Sequence, residues 1–298
     1  MIIRVNSYLY IRFDMILIML VPSNDHKIQL IDIEKIFASK DVRLLKRIPK
    51  FLIRYLKKIV HQDELNEFLI RNEGVVGIDF VSRCIEFMDA KVEVIGAENI
   101  PKNSRLIFAA NHPLGGIDGL CLFKAVHEHI RRNPKSIAND LLMNIKPLRS
   151  FMIGVNKHGG NSKDNVAEMR RVFEGSDPVI FFAAGLVSRR RWFKIEDIEW
   201  KSTFVKKAFL HERDVVPVFI SGRVSGFFYR LANLRKFLGI RNNIEMLFLP
   251  NEMFKQRGIP LIIKFGNPIP WRSFNSAKSP EEWAAGVKKQ VYEMGRNL

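Results

Sequence analysis

Short apolar runs recur along most of the chain, near 91–96, 105–110, 150–155, 178–183, 214–220, 244–249 and 261–266. Their length suits buried strands, and several of the intervening stretches repeat apolar residues every three to four positions, as helices do. Strands alternating with helices predict an α/β fold: a mostly parallel central sheet flanked by helices, joined by right-handed crossovers. Ahead of these runs the pattern is helical only. The expected organisation is an N-terminal segment of unassigned role (1–25), a helical segment (26–88) and an α/β domain (89–298). No repeat or low-complexity stretch interrupts it.

The helical segment has a distinctive stretch between Arg43 and Val60. Apolar residues fall at 44, 45, 48, 52, 55, 56 and 59, and basic ones at 43, 46, 47, 50, 54, 57 and 58. Both sets recur at helical spacing on opposite faces, with Pro49 breaking or kinking the helix. A basic amphipathic helix pair of this kind suits an anionic membrane surface. Earlier still, Met15 to Val21 form an apolar run too short to cross a bilayer, and Pro22, Ser23, Asn24 and Asp25 supply no small-residue cleavage site. A peripheral anchor, or a start of translation set too early, accounts for that run better than a signal sequence.

Charge strengthens the membrane reading. Forty-eight Lys and Arg against thirty-one Asp and Glu give a net charge of +17, so an anionic partner is expected. Arg189–Lys194 and Phe227–Lys236 mix cations with aromatics, ingredients that nucleic-acid binders also use. No RNP, zinc-finger or helix-turn-helix signature accompanies them, and no nucleic-acid partner is expected. Cys84 and Cys121 lack CxxC spacing and give no disulfide framework.

The candidate chemistry lies in Asn111-His112-Pro113-Leu114-Gly115-Gly116-Ile117-Asp118-Gly119, directly after the apolar run Leu106–Ala110 and before a helix expected from about Asp118. A loop between a strand and a helix start can gather a base, its orienting carboxylate and unsatisfied N–H donors. Bland roles exist for each residue: Asp118 as a helix cap, His112 as a turn histidine. Other chemistries lack their signatures. Gly222 to Gly226 places Ser225 one position too late for a nucleophile elbow. Gly159 to Lys163 is not a Walker A loop. His127 and His129 flank Glu128 at i,i+2, a poor metal pair expected to be solvated, and no metal site is expected.

The same loop resembles the first motif of the PlsC-like glycerolipid and lysophospholipid acyltransferases, which carry His-x4-Asp; five residues separate His112 from Asp118, closer to a glycine-rich bacterial, haemolysin-like variant. Phe151–Lys157 is similar to the family's second motif, and Val216-Pro217-Val218 to its fourth. Phe182–Arg189 stands where the third has Phe-Pro-Glu-Gly-Thr-Arg-Ser, with Ala184 and Val187 at its glutamate and arginine places. The resemblance covers roughly 90–225. It implies an O-acyltransferase of membrane lipid biosynthesis, with His112 as general base and Asp118 as its orienting partner. Gly115 and Gly116 become oxyanion candidates, and Lys157, Gly185, Ser188, Arg189, Arg190 and Arg191 acceptor-binding candidates. The implied donor is an acyl carrier protein or coenzyme A thioester, with no cofactor. The implied acceptor is 1-acylglycerol 3-phosphate or a similar lysolipid, alternatively a lyso-aminolipid such as a lyso-glycine or lyso-ornithine lipid. A non-catalytic binder of anionic surfaces is the contrasting class. The implied location is peripheral, on the cytoplasmic face of the inner membrane.

Overall fold

The computed structural model describes residues 30–40, 48–102, 105–139, 145–155, 163–240, 243–296 and 298. Its centre is a seven-stranded sheet in the spatial order β1-β9-β8-β2-β5-β3-β4. In chain order the strands are β1 (Val92–Ile95), β2 (Leu106–Ala110), β3 (Lys135–Asn139), β4 (Met152–Val155), β5 (Val179–Phe182), β8 (Asp214–Ile220) and β9 (Leu261–Phe265). Every pairing is parallel except β8 with β9. Strands β6 (Arg189–Arg191) and β7 (Lys194–Glu196) form a separate antiparallel hairpin.

Strand β2 is the axis of the molecule, paired with β5 on one side and β8 on the other and buried along its whole length. Its alternate residues serve two cores, because successive side chains leave a strand on opposite faces. Leu106, Phe108 and Ala110 join Ile180, Val216, Val218 and Ile263 in one cluster, covered by α4 (Gly77–Phe87) and α5 (Ile117–Ile130). Ile107 and Ala109 join Val179 and Val215 in the other, covered by α6 (Lys163–Glu174), α7 (Thr203–Leu210) and α10 (Pro280–Gly295). The result is three layers, as the alternating pattern predicts.

Two departures from the sequence reading bear on the site. The run at 244–249 is not a strand: Ile244–Phe248 is a 3₁₀ turn leading into α9 (Leu249–Phe254). Pro250 explains the difference, since it suits the first turn of a helix and has no N–H for a ladder. Strand β3 went unpredicted because Lys135-Ser136-Ile137-Ala138-Asn139 has no apolar run.

Arg213 sits fully buried at the foot of β8. Its guanidinium donates to the carbonyls of Phe173, Leu106, Asp177, Val172 and Gly175, satisfying acceptors at the C-terminal end of α6. Burial pulls its pKa down to about 10, leaving it charged at neutral pH.

The N-terminal helices are α1 (Ile33–Lys40), α2 (Lys50–Ile59) and α3 (Gln62–Arg71), with Pro49 immediately before α2. Arg43, Lys46 and Arg47 fall outside the described residues. The faces of α2 differ from the expectation that Leu52, Tyr55, Leu56 and Ile59 form one stripe. Ile53 and Ile59 are buried against Phe37 and Val60, with Leu56 packed on them, whereas Phe51, Leu52 and Tyr55 are exposed beside Lys50, Arg54 and Lys58. Among the described residues no helix is long and apolar enough to cross a membrane.

Candidate active site

The site forms where β2, β5 and β8 end, the edge at which α/β sheets gather their loops. Asn111 ties two of these ends together. Its amide donates to the Ile220 carbonyl at 2.8 Å and accepts from the Ile220 N–H at 2.7 Å. This buried side chain thus continues the ladder after β2 stops, and fixes the start of the loop that carries His112.

His112 Nδ1 lies 3.0 Å from Asp118 Oδ2. Asp118 is wholly buried, in the first turn of α5 rather than at its cap, which is Gly116. Three backbone donors hold it: Leu114 N–H at 2.9 Å and Gly115 N–H at 3.2 Å reach Oδ2, and Gly119 N–H at 2.9 Å reaches Oδ1. An ionised carboxylate at a helix start with this many donors is stable even without water. Burial pushes the Asp118 pKa up, but the His112 charge and hydrogen bond, with those backbone donors, outweigh it and leave it lowered. Burial likewise pulls His112 down, and Asp118, assisted by Asp197, overrides that and leaves its pKa raised. With Nδ1–H donating to Asp118, Nε2 is the proton acceptor.

A second carboxylate backs the histidine from behind. Asp197 Oδ1 accepts from the Ser188 hydroxyl at 2.6 Å and from the His112 N–H at 3.3 Å, and Oδ2 accepts from Trp200 Nε1 at 2.9 Å. Burial raises its pKa, and these donors offset that only in part. Ser188 N–H also donates to the His112 carbonyl at 2.9 Å. The ring of Phe182, at the end of β5, packs on the imidazole with centroids 4.3 Å apart. The main chain and Nδ1 of His112 are therefore held by hydrogen bonds and its ring by Phe182, while 18% of the side chain remains exposed.

Gly115 takes φ +79°, and a Cβ there would sit 2.5 Å from Val187 Cγ2, so only glycine fits beneath the third-motif loop. Its N–H is directed at Asp118, which removes it as an oxyanion donor; Gly116, at the positive end of α5, remains the candidate.

The expected acceptor residues separate into groups. Lys157 lies outside the described residues. Gly185 (φ +65°) is exposed at the turn after β5. Ser188 is buried and positions His112 instead of facing an acceptor. Arg189 is also committed elsewhere. Its guanidinium donates to the Val187 carbonyl at 2.7 Å and to Glu245 Oε1 at 3.0 Å, and Glu245 is fully buried with Arg235 Nε 3.0 Å from its other oxygen. Arg190 and Arg191 are exposed on the hairpin. Ser225 is a helix cap whose hydroxyl meets Glu252, at 2.8 Å. His127 and His129 are half-buried on α5, less solvated than their polar surroundings suggested.

Sequence reasoning missed Asp197, Trp200 and Glu245 as parts of the site. Each is recognisable only by its partner, and those partners lie 9, 3 and 56 residues away in the bonds just described.

Among the described residues the hydroxyl nearest His112, that of Ser188, is bonded to Asp197, so the buried His-Asp pair suits direct transfer between two bound substrates. Comparison with known proteins shows the family. The sequence model of a family described as Acyltransferase matches residues 35–298. The chain belongs to this acyltransferase family. Two relatives match over nearly their full length. The lyso-glycine lipid O-acyltransferase of Bacteroides thetaiotaomicron is 47% identical over 270 residues, covering 91% of this acyltransferase and 99% of the relative. The lyso-glycine lipid O-acyltransferase of Phocaeicola vulgatus is also 47% identical over 270 residues, covering 91% and 97%. Among solved structures, the 1-acyl-sn-glycerophosphate acyltransferase PlsC from Thermotoga maritima aligns with a TM-score of 0.47 at 20% identity, over 87% of this chain and 89% of that one.

Proposed function

We propose that this acyltransferase moves a fatty acyl group from a thioester donor to the free hydroxyl of a lyso-glycine lipid. The reaction takes place at His112. Nε2 removes the proton from the acceptor hydroxyl as its oxygen attacks the thioester carbonyl. The carbon–oxygen bond forms, the carbon–sulfur bond breaks, and the thiolate leaves with the proton held meanwhile by His112. Asp118 keeps the reactive tautomer and stabilises the imidazolium. The oxyanion would be received by the Gly116 N–H, the supporting observation being that Gly116 caps the start of α5. A general base so positioned contributes about 10²–10⁴-fold in rate. The donor is an acyl carrier protein or coenzyme A thioester, whose own free energy drives the transfer without a cofactor.

The observation that carries the chemistry is the 3.0 Å contact of His112 with a fully buried Asp118. The acceptor rests on the two relatives whose names specify a lyso-glycine lipid. The site is compatible with that choice over 1-acylglycerol 3-phosphate, the first expectation from the resemblance. Ala184 and Val187 replace a glutamate and an arginine, and Arg189, next in line to hold a phosphate, is taken by Glu245. The enzyme would work as a peripheral protein on the cytoplasmic face of the inner membrane, with Phe51, Leu52 and Tyr55 of α2 and the neighbouring cations at the lipid surface.

The test is an acceptor panel under one thioester donor: lyso-glycine lipid, lyso-ornithine lipid, 1-acylglycerol 3-phosphate and no acceptor. Acceptor-dependent thiol release and an ester-linked acyl product should be greatest with the lyso-glycine lipid. Strict selectivity for 1-acylglycerol 3-phosphate would overturn the assignment.

A further inference from the structure

The two most exposed large apolar side chains among the described residues are neighbours, Trp192 at 90% and Phe193 at 94%. They form the tip of the β6–β7 hairpin, between Arg190, Arg191 and Lys194, all of them exposed. The turn itself does not call for a tryptophan. Trp192 has φ +53°, a left-handed conformation that glycine or asparagine adopts with less strain.

The hairpin lies against α8 (Gly226–Phe237), where Asn233 donates to the Arg190 carbonyl at 3.4 Å. One face of α8 is in the core through Phe228, Tyr229 and Ala232. Yet Phe227, Leu234, Phe237 and Leu238 recur at helical spacing on the outside and are exposed, with Arg230 and Lys236 among them. Hairpin and helix thus present an apolar, aromatic surface set in positive charge. It begins one residue from the site: Ser188, just before β6, bonds the His112 carbonyl.

We propose that the β6–β7 hairpin and the outer face of α8 dock on an anionic lipid bilayer, Trp192 and Phe193 entering the headgroup region while the flanking cations meet lipid phosphates. This deepens the proposed function and rests on its reading that the acceptor is a membrane lipid. A bilayer answers both halves of the surface. Tryptophan favours the boundary between headgroups and acyl chains, and arginine and lysine gain from an anionic leaflet. A second copy of the chain fits less well, since a net charge of +17 on each would bring like charges together. Docking here brings His112 toward the lipid surface through its bond to Ser188, and the Ile244–Phe248 turn links this surface to α2. That turn joins the two regions: Leu247 and Phe248 pack on the N-terminal helices, and the Phe248 ring meets that of Phe227 at 5.0 Å.

The experiment uses the full chain and vesicles of phosphatidylcholine with or without phosphatidylglycerol. Binding is read by co-sedimentation and by quenching of tryptophan fluorescence with brominated lipids. W192S/F193S removes only exposed side chains, so folding should be unaffected. Its affinity for anionic vesicles should fall roughly ten-fold or more, and the lipid-quenched part of the fluorescence should shrink. Transfer to an acceptor embedded in vesicles should fall in parallel, and transfer to the same acceptor in detergent micelles should not. R190Q/R191Q/K194Q should abolish the preference for anionic over neutral vesicles at this surface and make binding less sensitive to salt. Unchanged vesicle binding by W192S/F193S would overturn the proposal. So would loss of self-association in that variant with vesicle binding intact, which would assign the surface to a second copy. Vesicle binding is read without turnover, so failure to acylate the lyso-glycine lipid would reject that acceptor independently of docking.

Discussion

At the scale of single residues the site depends on one buried carboxylate with four donors. Asp118 accepts from Leu114, Gly115 and Gly119 as well as from His112, so replacing it disturbs both charge and loop. Asp118→Asn should lower kcat by up to about 10⁴-fold, because the amide no longer selects the tautomer with a free Nε2. The pH profile gives a second reading. The raised His112 pKa means that the acid limb of kcat/KM, where the base becomes neutral, should have its midpoint above the ordinary imidazole value. In Asp118→Asn that midpoint should fall; a limb that stays in place would show that another group titrates. The sign for stability is opposite to that for activity. The His112 contribution is complete below the unfolded imidazole pKa and is lost as pH rises through the folded one, whereas that of Asp118, whose pKa is lowered, is lost as pH falls through its folded value. Asp197 is different, being a positioning residue behind the histidine. Asp197→Ala leaves the Ser188 hydroxyl, the His112 N–H and Trp200 Nε1 without their acceptor, and should cost on the order of 3 kcal/mol in denaturant unfolding. An unchanged midpoint would remove it from the account.

Elements explain why some of this could be read from the chain and some could not. Strands β2, β5 and β8 declare themselves as apolar runs because they are buried along most of their length, and the loop after β2 carries its candidate chemistry in nine consecutive residues. The pairing of His112 with Asp118 is local, so one loop offered both residues, and the resemblance to the acyltransferase motifs implied their roles. Strand β3, a polar segment drawn into the sheet by its neighbours β4 and β5, could not be seen that way. Nor could the role of Arg189, whose partner Glu245 stands in a segment that reads as a strand and folds as a 3₁₀ turn. That ion pair fastens β6 to the turn ahead of α9, with Arg235 of α8 as third member. Glu245→Ala would leave two guanidinium groups facing a buried space without their carboxylate. The expected loss is about 3–5 kcal/mol, measurable by urea unfolding. Arg189→Ala should likewise act on stability and raise acceptor and donor KM alike, if at all; a large rise in acceptor KM alone would return Arg189 to the acceptor site.

At the scale of the whole molecule, a net charge of +17 accompanies two exposed apolar regions, α2 and the hairpin with α8. Lys50, Arg54 and Lys58 line the outer side of α2, whereas Lys57 is engaged with Glu34 at 2.6 Å. Each cation near an anionic leaflet contributes about 1 kcal/mol, screened by salt. K50Q/R54Q/K58Q should therefore weaken co-sedimentation with anionic vesicles at low salt and have little effect at high salt. Equal loss on neutral vesicles would mean that charge is not what those residues supply. The central claim, that His112 is the base for O-acylation of a lyso-glycine lipid, meets its most direct test in one comparison. Wild type and His112→Ala are incubated with a thioester donor and lyso-glycine lipid, and the doubly acylated product is quantified by mass spectrometry, with matched circular dichroism spectra showing that both are folded. The account predicts product from the wild type and a loss of at least about 10²-fold in the variant. Product formation by folded His112→Ala at the wild-type rate would contradict it.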